Sequence, residues 1–136
     1  MHDDLDFSYR SSFFKENKGY YIVSATLKLE KGNKEEILEK ISKRRVKRIE
    51  TQPLDMPSAG SVFRNPEGMY AGELIEKIGL KGYKINGAMI SEKHANFIVN
   101  NGGASGKDIV KLIEKVKQEV KKEFEVDLVL EQMIVD

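Results

Sequence analysis

The sequence predicts an α+β fold, a mixed sheet with helices packed on it. Three observations carry that reading. Two long segments, about 34–50 and 105–124, have the composition and apolar spacing of helices. β-rich segments lie toward both ends, at 20–29 and 126–135. Between them runs an irregular middle that holds all three prolines and nine of the eleven glycines. There is no internal repeat and no low-complexity tract.

Each element follows in turn. Over 20–29, Tyr21, Val23, Ala25, Leu27 and Leu29 alternate with Ile22, Ser24, Thr26 and Lys28, which is the pattern of a half-buried strand. Gly32-Asn33 turns the chain, and Asn33 is placed to cap a helix running from 34 to about 50. In that helix Ile37, Leu38 and Ile41 point inward. Pro53, Pro57 and Pro66 exclude a continuous helix or a central strand across 51–68. A short helix at about 70–78 is stopped by Gly79, and strand-like pieces follow at 83–91 and 96–100. Ser105, with Asp108 three residues on, marks a capping box that opens the second long helix. Ile109, Leu112, Ile113, Val116, Val120 and Phe124 keep helical spacing along it, and 126–135 closes the chain as an apolar strand.

Composition narrows the function classes. Lys+Arg 23 against Asp+Glu 22 leaves a net charge of +1, so no bulk charge points to nucleic acid or a membrane surface. Hydrophobic residues at 40% are enough for a core, which excludes a disordered chain. Cysteine is absent, removing disulfides, thiolate metal sites and catalytic thiols, and permitting a cytoplasmic setting. No segment approaches the roughly 18 apolar residues of a membrane-spanning helix.

Local constellations mostly favour plain structural roles. The run 43–48 has five basic residues in six, yet Glu35, Glu36, Glu39 and Glu50 flank it and no aromatic interleaves. A solvated helix face is the better reading than a phosphate or nucleic-acid site. The stretch 102–108 (GGASGKD) looks like a phosphate loop, but its glycine spacing is one short. Asp108 also stands where Ser or Thr should hold magnesium, so it reads as a helix-capping loop. The two histidines, His2 and His94, lie far apart with no third ligand at metal spacing, so no metal site is expected. His94 reads as part of a surface turn and Ser61 as a loop serine with no general base nearby in sequence.

Several odd segments together resemble one family. FSYRSS (7–12), QPLDMPSAGSVFRNP (52–66), AGELIEKIGLKGYKINGAMISEKHANFIVN (71–100) and VLE (129–131) look like the UDP-N-acetylenolpyruvoylglucosamine reductases, in order and at family-like spacing over essentially the whole chain. The resemblance implies a cytoplasmic reductase of cell-wall precursor synthesis. In it NADPH reduces a bound FAD, and hydride then passes to the enolpyruvyl group of UDP-N-acetylglucosamine enolpyruvate. Carried over by motif, Arg10, Ser61 and Glu131 match the catalytic positions, and Asn65 and His94 match substrate-binding ones. Hydride arriving at the alkene leaves an enolate, which a cation such as Arg10 and a carboxyl such as Glu131 can stabilise. Ser61 can then deliver the proton. For Glu131 to donate a hydrogen bond it must be protonated, which calls for burial or a like charge beside it.

The resemblance also implies a division of the chain. Residues 51–126 would form the substrate-binding domain, while 1–50 and 127–136 would be the remnant of a flavin-flanking subdomain, with strands 20–29 and 126–135 in one sheet. The family's glycine-rich N-terminal flavin-binding part has no counterpart here. The chain therefore reads as a C-terminal portion, with FAD not expected on it alone and a missing flavin domain as its partner. Lys84 and Asn86 replace a commoner arginine and glycine, Leu130 a proline, and Thr51 a lysine found in some members. A non-enzymatic domain that binds a nucleotide-sugar or a protein is the competing reading. No nucleic-acid or membrane partner is expected.

Overall fold

The computed structural model of the chain describes residues 3–135, so His2 lies outside the described residues. Contacts divide the chain into two units, 1–37 and 38–136.

In the first unit a tight turn joins Ser8 to Ser11 through a pair of reciprocal 3.2 Å backbone hydrogen bonds, followed by the one-turn helix α1 (Phe13–Glu16). The Phe13 ring meets those of Phe14 and Tyr20 edge-on. The strand expected at 20–29 does not form. A strand needs a neighbour for its N–H and C=O groups, and no described residue pairs with this segment. Its alternation survives without a buried face: Tyr21 is 88% exposed and Val23 96%.

Asn33 caps as expected. Its Oδ1 accepts from the N–H groups of Glu35 at 2.9 Å and Glu36 at 3.1 Å, opening α2 (Lys34–Thr51), within which the two units divide. The inward face assigned to Ile37, Leu38 and Ile41 is not covered, each residue being about half exposed. No residue of α2 is buried by the described residues.

The second unit holds the sheet. Its strands are β1 (Ser58–Ser61), β2 (Lys84–Ile85), β3 (Ala88–Ile90) and β4 (Phe97–Asn100), in the spatial order β1-β4-β3-β2. Between β1 and β2 lies α3 (Ala71–Lys77), and α4 (Gly106–Phe124) follows β4. The α+β class holds, but every pairing is antiparallel, so the sheet is not mixed. Short connections decide this: β2–β3 and β3–β4 are joined by turns too short for a parallel crossover. The expected piece 83–91 is thus a hairpin, reversed at Asn86-Gly87. β1 lies inside the proline-marked segment and at an edge, the place where prolines allow a strand.

One face of α4 forms the core with the sheet. Leu112, Ile113, Val116 and Val120 are buried against Ile90, Ile98, Leu74, Ile75, Val62 and Phe63. The closing segment joins this core through Leu128, 3% exposed, but makes only an isolated bridge, Phe63 to Leu130, where a strand over 126–135 was expected. Beyond Gln132 its residues are exposed, and without a face to bury nothing extends the pairing. Neither terminal segment forms a strand of the sheet, and Leu128 packs in the core of the second unit.

Candidate functional site

Ser61 ends β1, and the residues after it are held by a side chain that sequence reasoning passed over. Asn96, 4% exposed, brackets Phe63: its Oδ1 accepts from Phe63 N–H at 2.9 Å, and its Nδ2 donates to Phe63 C=O at 2.8 Å. The Asn96 carbonyl accepts from Val62 N–H at 2.9 Å. A buried amide with both ends satisfied fixes the chain it grips. The only sequence signal for it was its place beside His94.

The closing segment docks on the same stretch. Glu131 N–H donates to Val62 C=O at 2.9 Å and Arg64 N–H to Val129 C=O at 2.8 Å. Gln132 Nε2 donates to Gly60 C=O at 3.1 Å, with Ser61 C=O at 3.4 Å. Two of the three catalytic candidates, 70 positions apart in sequence, are thus carried on adjacent backbones. Arg64 Nε lies 3.1 Å from Glu131 Oε2, and both atoms are shielded from solvent. Beside Ser61 opens a cavity of about 380 Å³, lined by Arg48, Gln52, Pro53, Leu54, Met56 and Phe97 together with Ser58, Gly60 and Ser61 of β1. Arg48, from the basic run read as a solvated face, therefore lines the cavity, with its Nε bonded to Gln52 Oε1 at 3.1 Å.

Asn65 and His94 each lie by the start of α3. Asn65 Oδ1 accepts from Ala71 N–H at 3.1 Å, so this candidate ligand contact also orders the helix entrance. The His94 ring packs on Phe97 with centroids 4.8 Å apart, and a Cβ at Gly72 would lie 3.3 Å from its Cε1. His94 is half-buried, more than a surface turn requires. Its Nδ1 accepts from Asn96 N–H at 3.2 Å, which puts the proton of the neutral ring on Nε2. Burial, the largest cause, lowers its pKa from 6.5. Lys81 adds to this, while a backbone hydrogen bond and Glu76 oppose it. Arg10 belongs to the first unit. It sits in the Ser8–Ser11 turn with φ +59°, its guanidinium 6.0 Å from the Tyr9 ring centre and its carbonyl accepting from Lys15 Nζ at 2.9 Å.

The glycine-rich entrance to α4 has its N–H groups already engaged within the chain. A dinucleotide cradle offers free N–H groups to a pyrophosphate. Here Gly102 and Ala104 donate to Asn100 Oδ1, and Ser105 N–H donates to Asp108 Oδ2. Asp108 N–H donates to Ser105 Oγ, completing the capping box. Hydrogen bonds from the Ser105 hydroxyl and N–H, then from Asn86, hold the Asp108 carboxyl down at about 2. An anion already occupies the place a phosphate would take. Among the described residues no cluster of three His, Asp or Glu could hold a metal, and no helix is long and apolar enough to cross a membrane.

Comparison with known proteins bears on the same segments. The family model for UDP-N-acetylenolpyruvoylglucosamine reductase, C-terminal domain, matches residues 52–135. A UDP-N-acetylenolpyruvoylglucosamine reductase of Lachnoclostridium phytofermentans is 50% identical over 93% of this chain and 40% of its own length. One from Carboxydothermus hydrogenoformans is 54% identical over 95% of this chain and 42% of its own. The crystal structure of the Thermus caldophilus UDP-N-acetylenolpyruvylglucosamine reductase superposes with a TM-score of 0.79 at 40% identity, over 96% of this chain and 46% of that one. This chain spans less than half the length of these relatives. The core, the paired segments 60–64 and 129–132 and the cavity all lie within or beside the matched region, and the chain belongs to the UDP-N-acetylenolpyruvoylglucosamine reductase family through its C-terminal domain.

Proposed function

We propose that this chain is the substrate-binding and acid-donating part of a reductase that converts UDP-N-acetylglucosamine enolpyruvate to UDP-N-acetylmuramate for peptidoglycan. The docking of 129–132 on 60–64 beside a cavity supports this reading most. It brings the backbones that carry the candidate serine and carboxylate side by side. FAD reduced by NADPH would supply the hydride, held by a part that the longer relatives have and this chain does not cover. In that protein residues 51–126 bind substrate, and 1–50 and 127–136 flank the flavin-bearing part.

The chain's own residues then act on the substrate. Asn65 and His94 hold the nucleotide-sugar, Arg10 and Glu131 stabilise negative charge as it develops on the enolpyruvyl group, and the Ser61 hydroxyl gives up the final proton. A hydroxyl is a weak acid, but a carbanion-like centre is a base strong enough to take its proton. The setting is the cytoplasm, where a nucleotide-sugar substrate is made and used.

Titration of the chain with UDP-N-acetylglucosamine enolpyruvate, followed by amide NMR shifts, tests the binding half of this reading. Weak binding is expected, since the reacting end of the substrate rests against the absent flavin, with shifts centred on Ser61, Asn65 and His94. Nanomolar affinity, or shifts confined to other segments, would contradict it.

A further inference from the structure

The Phe63–Leu130 bridge makes Arg64 and Glu131 diagonal neighbours on one face of an antiparallel pair. The backbone bonds Arg64 N–H to Val129 C=O and Glu131 N–H to Val62 C=O flank that bridge, so residues 62, 64, 129 and 131 share a face. Diagonal partners are within reach of long side chains. The arginine uses that reach: Nε stands 3.1 Å from Oε2, with both atoms shielded although the side chains as wholes are 32% and 24% exposed. A guanidinium has donors and no acceptor, and it does not deprotonate. The contact is an ion pair at close range whose two atoms are not aligned as a hydrogen bond.

We propose that Arg64 is a positioning residue for the reduction of the enolpyruvyl group. It fixes the rotamer of Glu131, and with it the direction in which the carboxyl group faces the substrate. This rests on the reading of Glu131 as a group that meets the substrate. Arg64 acts through Glu131 and touches no reacting atom. Its planar fork sets an orientation that a point charge sets less well.

The test joins this chain to the flavin-binding part of the Lachnoclostridium phytofermentans relative, loaded with FAD. Flavin reduction by NADPH and reoxidation by UDP-N-acetylglucosamine enolpyruvate are followed separately by rapid mixing. Arg64→Gln should slow reoxidation about 10²-fold, the cost of a misplaced catalytic group. Flavin reduction and the substrate concentration at half-maximal rate should stay near the parent values. Arg64→Lys should recover about tenfold of that loss, because it restores the charge without the fork. Equal slowing of both half-reactions, or parent rates in both variants, overturns the proposal. Should Arg64→Gln not fold, Arg64→Lys decides: slowing confined to reoxidation supports the proposal, and parent-like reoxidation overturns it.

Glu131→Gln separates the two ideas. If it leaves reoxidation at the parent rate, the reading of Glu131 itself has failed. If it slows reoxidation while Arg64→Gln does not, only the role of Arg64 has. A readout free of activity comes from urea unfolding of this chain. Arg64→Gln, Glu131→Gln and the double variant should show strongly non-additive losses of stability, and additive losses would contradict the pairing.

Discussion

At the scale of single residues, His94 ties the site to pH. Its Nδ1 accepts from Asn96 N–H, and Asn96 in turn grips Phe63 and receives Val62 N–H just beyond Ser61. Burial lowers the folded pKa of His94 below the 6.5 of the unfolded chain. In the interval between these values the unfolded chain binds more protons, so stability is full above pH 6.5 and falls as pH drops through the folded value. Urea unfolding from pH 7.5 down to 5 should show this loss in the parent and a flatter profile in His94→Gln; equal profiles would mean that His94 is not held neutral. Residue types were legible here only in part. Motifs marked Ser61, Asn65, His94 and Glu131, but not Asn96, whose partners lie 33 positions away in sequence, or Arg64, whose partner lies at the far end of the chain.

Among elements, local chemistry was the easiest to read. The Ser105–Asp108 box and the Asn33 cap form within a few residues, and both appear as the sequence implied. The alternation across 20–29 is equally local, yet a strand depends on a partner that no local pattern supplies. The hairpin within 83–91 had a signal in Asn86-Gly87, which is a turn pair. Asn86 adopts φ +50°, a left-handed conformation that Asn tolerates better than most residues. Gly87 is constrained by space instead. A Cβ there would sit 2.2 Å from the Gly102 carbonyl oxygen and 2.3 Å from Ala104 N, both backbone atoms that cannot swing aside. Gly87→Ala should force apart the β2–β3 turn and the entrance to α4, costing at least about 2 kcal/mol in urea unfolding, toward the upper part of the range for overpacking. A change within 0.5 kcal/mol, the ordinary range for a surface substitution, would show that the two loops separate freely.

For the whole molecule, the proposed function gives the proton to Ser61 of this chain and leaves the hydride to a part that its longer relatives have and it does not cover. The α+β class was readable from element order, and the family from motifs spread along the chain. The antiparallel pairing and the docking of 129–132 on 60–64 were not, since both depend on contacts between distant segments. Rapid mixing of the Ser61→Ala variant, in the chain joined to a flavin-binding part, tests this division of labour most directly. Ser61 has no part in the nicotinamide step, so flavin reduction by NADPH should proceed near the parent rate. Reoxidation by UDP-N-acetylglucosamine enolpyruvate should slow by the ~10²–10⁴-fold typical of a lost general acid, roughly 3–5 kcal/mol of transition-state stabilisation. Reoxidation at the parent rate, or an equal loss in both half-reactions, would contradict the account.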